Sequence, residues 1–266
     1  MNIIEVTHLT KKYGAIVAVD DISFAVGEGE VFAFLGPNGA GKSTTIKMLT
    51  TLLQPTAGTI RVNGHDPVAA PHEVRKSFGI VFQDPAVDDE LTAWENMEFH
   101  GVLYGVPKAE RRRRTEELLK FVDLFDRRDS VVKEFSGGMR RRLEIARGLL
   151  HTPRIVFLDE PTLGLDPQTR NHMWSYLQSL NASDKTTVFF TTHYMEEAER
   201  VAQRIAIIDH GKIVAIGTAT ALRDQTGAAS LEDAFLALTG KTIRAEEASS
   251  TDRMRMVARA FRRRTG

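Results

Sequence analysis

Gly36-Pro37-Asn38-Gly39-Ala40-Gly41-Lys42-Ser43 decides how this chain is read, because it matches G-x-x-x-x-G-K-[ST] between a predicted strand, Val31 to Leu35, and a predicted helix beginning at Lys42. Glycines at this spacing let the backbone curl so that successive N–H groups point at phosphate oxygens. The helix that follows adds the positive end of its dipole. Lys42 sets a cation on the β and γ phosphates, and the Ser43 hydroxyl suits a Mg²⁺ ligand. The expectation is a nucleotide-phosphate site running from Gly36 to Thr44.

A loop of this kind needs a sheet behind it, and the neighbouring sequence supplies one. Short runs rich in β-branched or aromatic residues at Ile3–Thr7, Ile22–Val26, Thr59–Val62 and Phe78–Phe82 read as strands in the first 83 residues. Between Asp84 and Leu150 the period becomes helical. Thr92 with Glu95 is a capping box opening a helix towards Tyr104, and Pro107 starts a segment with Leu118, Phe121, Val122 and Phe125 on one face. Apolar runs return at Ile155–Leu158, Val188–Phe190, Ile205–Ile208 and Ile213–Ile216, with helical spacing between the first three. Strands alternating with helices imply a mostly parallel sheet covered on both faces. Ser230 with Asp233 caps a last short helix that carries Leu231, Phe235 and Leu238 and stops at Gly240.

The run Ile155-Val156-Phe157-Leu158 ends in Asp159 and Glu160. A strand ending there delivers Asp159 to the sheet edge of the phosphate loop, where it can hold Mg²⁺ through water, and leaves Glu160 free to polarise an attacking water. Between the two elements stands Phe135-Ser136-Gly137-Gly138-Met139, a serine and two glycines opening a helix. That is a second N-terminus able to bind an anion, although by itself it reads first as an ordinary serine cap before two flexible glycines.

Composition narrows the remaining classes. The chain has 266 residues, 42% hydrophobic and 26% charged, which is ordinary for a globular protein and argues against disorder or fibrous repeats. No unbroken apolar run exceeds six residues, as in Val31 to Gly36, far short of the roughly 20 that span a bilayer. The N-terminus lacks a secretory pattern, and the absence of cysteine rules out disulfide scaffolds and thiolate metal sites and fits a reducing cytoplasm. Residues 241–266 hold eight basic and three acidic residues, which leaves 27 basic against 32 acidic in the body. A general nucleic-acid footprint is therefore missing. Arg111 to Arg114 reads as a solvated helix face. In the tail, Met254, Val257 and Phe261 share a helical face among arginines, open to reading as a frayed solvated segment or as a basic helix at a membrane surface.

Taken together, these motifs resemble the ATP-binding subunit of ABC transporters. That family carries a Walker A loop, a glutamine at the junction with a helical subdomain, an L-S-G-G-Q signature, a Walker B strand, a D-loop and a switch histidine. Counterparts here are Gly36 to Thr44, Gln83, Ser136 to Gly138, Asp159 with Glu160, Asp166, and His193 after Thr191 and Thr192. Gly138 precedes Asp159 by 21 residues, the family's usual signature-to-Walker B spacing. Phe135 and Met139 replace the usual Leu and Gln, and Leu163-Gly164-Leu165-Asp166 lacks the usual small pair before its second leucine. The F-S-G-G-M form and the segment Leu231 to Gly240 look similar to the daunorubicin-resistance branch of bacterial exporters.

The resemblance implies an α/β P-loop NTPase fold: a RecA-like core with a mostly parallel sheet, an N-terminal antiparallel β layer, and an α-helical subdomain inserted at about 84–150 of an ATPase domain covering 1–225. Residues 226–266 would form a short appendage with a basic tail. It implies ATP hydrolysis with Lys42, Gln83, Glu160 and His193 as the catalytic set; Tyr13 as the adenine-stacking aromatic; Ser43, Gln83 and Asp159 as Mg²⁺ ligands; and Ser136, Gly137, Gly138 and Asp166 serving ATP across a dimer. A second copy meeting this chain head to tail, a separate integral membrane subunit, no nucleic acid, and a place on the cytoplasmic face of the membrane complete the expectation. Two rivals are a soluble ABC-type ATPase acting on nucleic acid or ribosomes and a regulatory module that merely holds ATP. No heptad run supports the first, and Glu160 with His193 opposes the second.

Overall fold

The computed structural model describes residues 1–83 and 86–240. Strands β1 (Asn2–Tyr13), β2 (Ile16–Gly27) and β3 (Val31–Leu35) lead into helix α1 (Lys42–Leu49), followed by β4 (Ala57–Val62), α2 (Pro71–Ser77) and β5 (Phe78–Val81). Three helices come next, α3 (Ala93–Leu103), α4 (Lys108–Phe121) and α5 (Gly137–Leu149). The chain closes with β6 (Ile155–Asp159), α6 (Pro167–Asp184), β7 (Thr187–Thr192), α7 (Met195–Val201), β8 (Arg204–Asp209), β9 (Lys212–Gly217), α8 (Ala219–Thr226) and α9 (Leu231–Thr239).

The strands form two sheets. One is antiparallel, ordered β2-β1-β4; the other has the order β5-β6-β7-β3-β8-β9 and is parallel except at the β8–β9 edge. All five residues of β3 are buried, as a strand covered on both faces requires. Its period of two divides them between cores: Val31, Ala33 and Leu35 face the helices α3 to α7, while Phe32 and Phe34 join the N-terminal sheet and α1. There Phe24, Phe32, Phe34, Phe157 and Phe189 cluster with ring centroids 5.6 to 6.0 Å apart. The register sets the functional edge. Leu35 pairs with Thr192 and Asp159 with Thr191, so β3, β6 and β7 release their next residues side by side. The order also reverses around β3, the kind of switch point at which open α/β sheets bind ligands.

Several sequence expectations meet this structure directly. The Thr92–Glu95 capping box is formed, and Ser230 caps α9 by accepting from the Asp233 N–H, with Gly240 left-handed at the other end. The first two strands run further than Ile3–Thr7 and Ile22–Val26. The polar stretch His8 to Tyr13 stays in register with β2 through bulges and turns back at Gly14, φ 58°. Helix α2, where only strands and turns were expected, starts on a proline and buries Val74. The Arg111–Arg114 run is only half a solvated face. Arg112 and Arg113 are exposed, but Arg111 pairs with Glu98 at 2.7 Å, and buried Arg114 donates to the Leu149 and Leu150 carbonyls at 2.8 and 3.1 Å. The face of Met254, Val257 and Phe261 lies outside the described residues.

Candidate functional site

The phosphate loop owes its shape to two close approaches. A Cβ on Gly36 would stand 2.3 Å from the Ile208 carbonyl oxygen; one on Gly41, whose φ is 106°, would stand 2.6 Å from the Ala18 oxygen. Both positions therefore exclude a side chain. Gly41 is the N-cap of α1 and offers no side-chain cap, so the first N–H groups of the helix are left for a ligand. Lys42 folds back under the loop, donating to the Gly36 carbonyl at 2.7 Å and the Pro37 carbonyl at 3.2 Å, and it meets Glu160 Oε1 at 3.2 Å. Burial pulls its pKa down, while Glu160 and Asp159 pull against that.

Glu160 follows β6 in a left-handed conformation, φ 48°, rare for a residue with a side chain. Thr191 holds it there. Its hydroxyl accepts from the Glu160 N–H at 3.0 Å and donates to Asp159 Oδ1 at 2.6 Å, so one buried oxygen fixes both carboxylate residues. His193 Nδ1 stands 3.2 Å from Glu160 Oε2. Burial alone would push the Glu160 carboxyl up; His193 and Lys42 outweigh it and hold the group down to about 2. It is an ionised carboxylate at neutral pH, flanked by two nitrogen groups.

A cleft of about 430 Å³ opens above these groups, lined among others by Ala18, Pro37 to Thr44, Gln83, Glu160 and His193. The structure thus brings the phosphate loop, Gln83, Glu160 and His193 together. Gly36 and Asp159 lie buried at its base. Tyr13 does not line the cleft; it is half exposed at the β1–β2 turn with Lys11 Nζ 5.3 Å above its ring. Asp166 caps α6, accepting from the Thr169 N–H at 2.9 Å and its hydroxyl at 2.6 Å, which lowers its pKa. Ser136 caps α5, accepting from the Met139 N–H at 3.3 Å, and both it and Gly137 are exposed. Among the described residues, no atom outside the helix's own turn lies within 4 Å of where a Cβ on Gly137 or Gly138 would stand. The oxygens of Ser43, Gln83 and Asp159 suit a small hard cation. Among the described residues no group of three or more acidic or histidine side chains could hold a metal, so such an ion would depend on the phosphates too.

Two residues of this site escaped the sequence reading. In the sequence Thr191 is marked only by standing two residues before His193. Arg141 stood within a run of three arginines, yet it is 5% exposed and uses every donor of its guanidinium. Nε donates to the Pro161 carbonyl at 3.1 Å. Nη2 donates to the carbonyls of Asp159 and Glu160 at 3.0 and 3.1 Å; Nη1 donates to Glu144 Oε2 at 3.1 Å and to the Phe82 carbonyl. Periodicity gives no signal for Arg141, since α5 is buried around most of its circumference from Leu143 to Leu149.

Comparison with known proteins agrees with this geometry. The ABC transporter family model matches residues 19–163. The chain is 47% identical over 224 residues to the daunorubicin/doxorubicin resistance ATP-binding protein DrrA of Streptomyces peucetius, covering 84% of this chain and 68% of that protein. Among solved structures it is similar to the ATP-binding subunit of an ABC transporter, TM-score 0.84 at 34% identity, over 89% of this chain and 99% of the other. It is also similar to a dimeric ATP-binding cassette in a post-hydrolysis state bound to ADP and Pi, TM-score 0.75 at 29% identity, over 81% and 98% of the two chains.

Proposed function

Because the chain belongs to the ABC transporter family, we propose that it is the ATP-binding and hydrolysing subunit of an exporter, driving a drug-like or amphipathic substrate through a separate membrane protein. The observation that carries hydrolysis is the ionised Glu160, held between Lys42 and His193 at the wall of a phosphate-sized cleft. The name of the Streptomyces peucetius relative supports export of a drug-like molecule.

The amides of Gly36 to Thr44 and the N-terminus of α1 bind the β and γ phosphates, and Lys42 neutralises their charge. Tyr13 offers a half-exposed ring for the adenine at the turn of the hairpin whose Ala18 reaches the cleft. Ser43, Gln83 and Asp159 would hold Mg²⁺, which would supply positive charge against the negative charge developing on the phosphates. Glu160 orients and polarises the attacking water, and His193 hydrogen-bonds the γ-phosphate. Ser136, Gly137 and Gly138 add a second helix N-terminus to the ATP of a partner copy, with Asp166 beside that seam. Their exposure and the open space around the two glycines support a use outside the chain.

The ATPase domain spans 1–225 with its helical lobe at about 84–150, followed by the appendage from 226. Phe99, Val102 and Leu103 project from α3 on that lobe, between 58% and 65% exposed, and support a docking face for the membrane subunit. Among the described residues no helix is long and apolar enough to cross a membrane. The family reading supports a place on the cytoplasmic face, held by the partner. Glu160→Gln tests the catalytic reading: steady-state hydrolysis should fall by about 10²- to 10⁴-fold while ATP binding is kept and an ATP-bound dimer accumulates. Near-normal turnover would remove Glu160 from this role.

A further inference from the structure

Helix α5 begins at the signature and ends deep in the protein, and one of its faces grips the chain's own ATP site. Arg141, Glu144 and Arg147 recur every three residues, so they share that face. Arg141 holds three consecutive carbonyls, Asp159 to Pro161, where β6 turns through the left-handed Glu160. It also holds the Phe82 carbonyl, just before Gln83. Glu144, fully buried, accepts the Ala86 N–H at 2.9 Å, and Arg147 donates to the Ala86 carbonyl. Both flanks of the Gln83 segment and the Glu160 turn are thus fastened to one rigid helix. The N-terminal turn of that helix is Ser136 to Gly138.

We propose that Arg141 is the positioning residue through which the signature helix sets the Glu160 turn and the Gln83 flank of its own chain. A shift of α5, when its N-terminus meets the partner's nucleotide, would carry both pieces together. The planar five-donor fork is what the role requires: a lysine keeps the charge but presents a point donor that cannot span three carbonyls and a carboxylate. The inference rests on the reading that Glu160 polarises water, and it adds a residue that touches neither nucleotide nor water.

The test uses the full chain, measuring steady-state ATP hydrolysis, affinity for a fluorescent ATP analogue, and melting temperature. Arg141→Lys should keep nucleotide affinity within about twofold yet lower kcat about 10²-fold, the scale of loss from an ångström of misplacement. Glu144→Gln keeps the buried shape and an acceptor for Ala86 while weakening Arg141's anchor; it should lower kcat about tenfold, and it carries the test if the lysine variant does not fold. Combined with Glu160→Gln, Arg141→Lys should slow residual turnover by clearly less than it does alone, because part of its effect runs through that same carboxylate and only the part through the Gln83 flank remains. A purely structural role would instead lower the melting temperature and leave kcat of the folded protein unchanged. Wild-type kcat in Arg141→Lys or Glu144→Gln, or an additive loss in the double variant, would overturn the proposal. Near-normal hydrolysis by Glu160→Gln alone would be a different failure, that of the catalytic reading itself.

Discussion

Two glycine-rich turns open helices in this protein, and their glycines answer to different needs. At Gly36 and Gly41 the chain's own atoms exclude a side chain, through the Ile208 and Ala18 carbonyls and, at Gly41, a left-handed backbone. At Gly137 and Gly138 the backbone is not left-handed and the space is open. Alanine in the first turn of a helix would be more favourable than glycine, so folding does not ask for glycine there. The first turn is shaped from within. The second has room left around it, which supports the proposal that it serves the ATP of a partner copy.

Substitution should separate the two. Gly41→Ala should cost about 2–4 kcal/mol in urea denaturation, from a strained φ and a backbone clash. Gly138→Ala should change stability by no more than about 1 kcal/mol, on the favourable side. It should nevertheless lower ATP turnover about tenfold or more, since the new Cβ stands where a phosphate must approach. Equal destabilisation by both would erase the contrast.

Acid should expose a second difference, because α5 begins at Ser136 and runs to a histidine cluster at its other end. His151, just past α5, stacks on Tyr104 with centroids 3.9 Å apart, and His100 lies 4.6 Å from Tyr104. Burial depresses both rings from 6.5, to about 4 for His151 and about 3 for His100. The unfolded chain therefore binds protons below pH 6.5 that the folded chain refuses. Stability should fall as pH drops from 6.5 towards 4, by up to about 1.4 kcal/mol per unit for each ring. His100→Phe, which keeps the stack, should flatten that slope. An unchanged slope would show that the ring titrates normally.

How much of this was legible follows from where each signal resides. The phosphate loop, the buried strands β3 and β6 and the caps at Thr92 and Ser230 are local patterns, and sequence carries local patterns well. The lengthened β1 was hidden because His8 to Tyr13 is mostly polar, with Leu9 alone fully buried, and it is cross-strand pairing that extends the strand there; Ile16 to Val19 of β2 did carry a β-branched signal. Helix α2 is too short to display a period. Arg114 and Arg141 both stood in arginine runs that look solvated. Each is buried because carbonyls from distant segments converge on it, a fact of tertiary structure. Thr191 is concealed for the same reason: only the pairing of β6 with β7 sets its hydroxyl against Asp159 and the Glu160 N–H.

The central claim is that the ATP cradled by Gly36 to Ser43 is completed by Ser136 to Gly138 of another copy. Ser136→Arg tests it most directly, since Ser136 is exposed and lies outside the cleft of its own chain. With Mg²⁺ and saturating ATP, the variant should bind nucleotide as the wild type does and lose hydrolysis. Normal hydrolysis by Ser136→Arg alone would contradict the account.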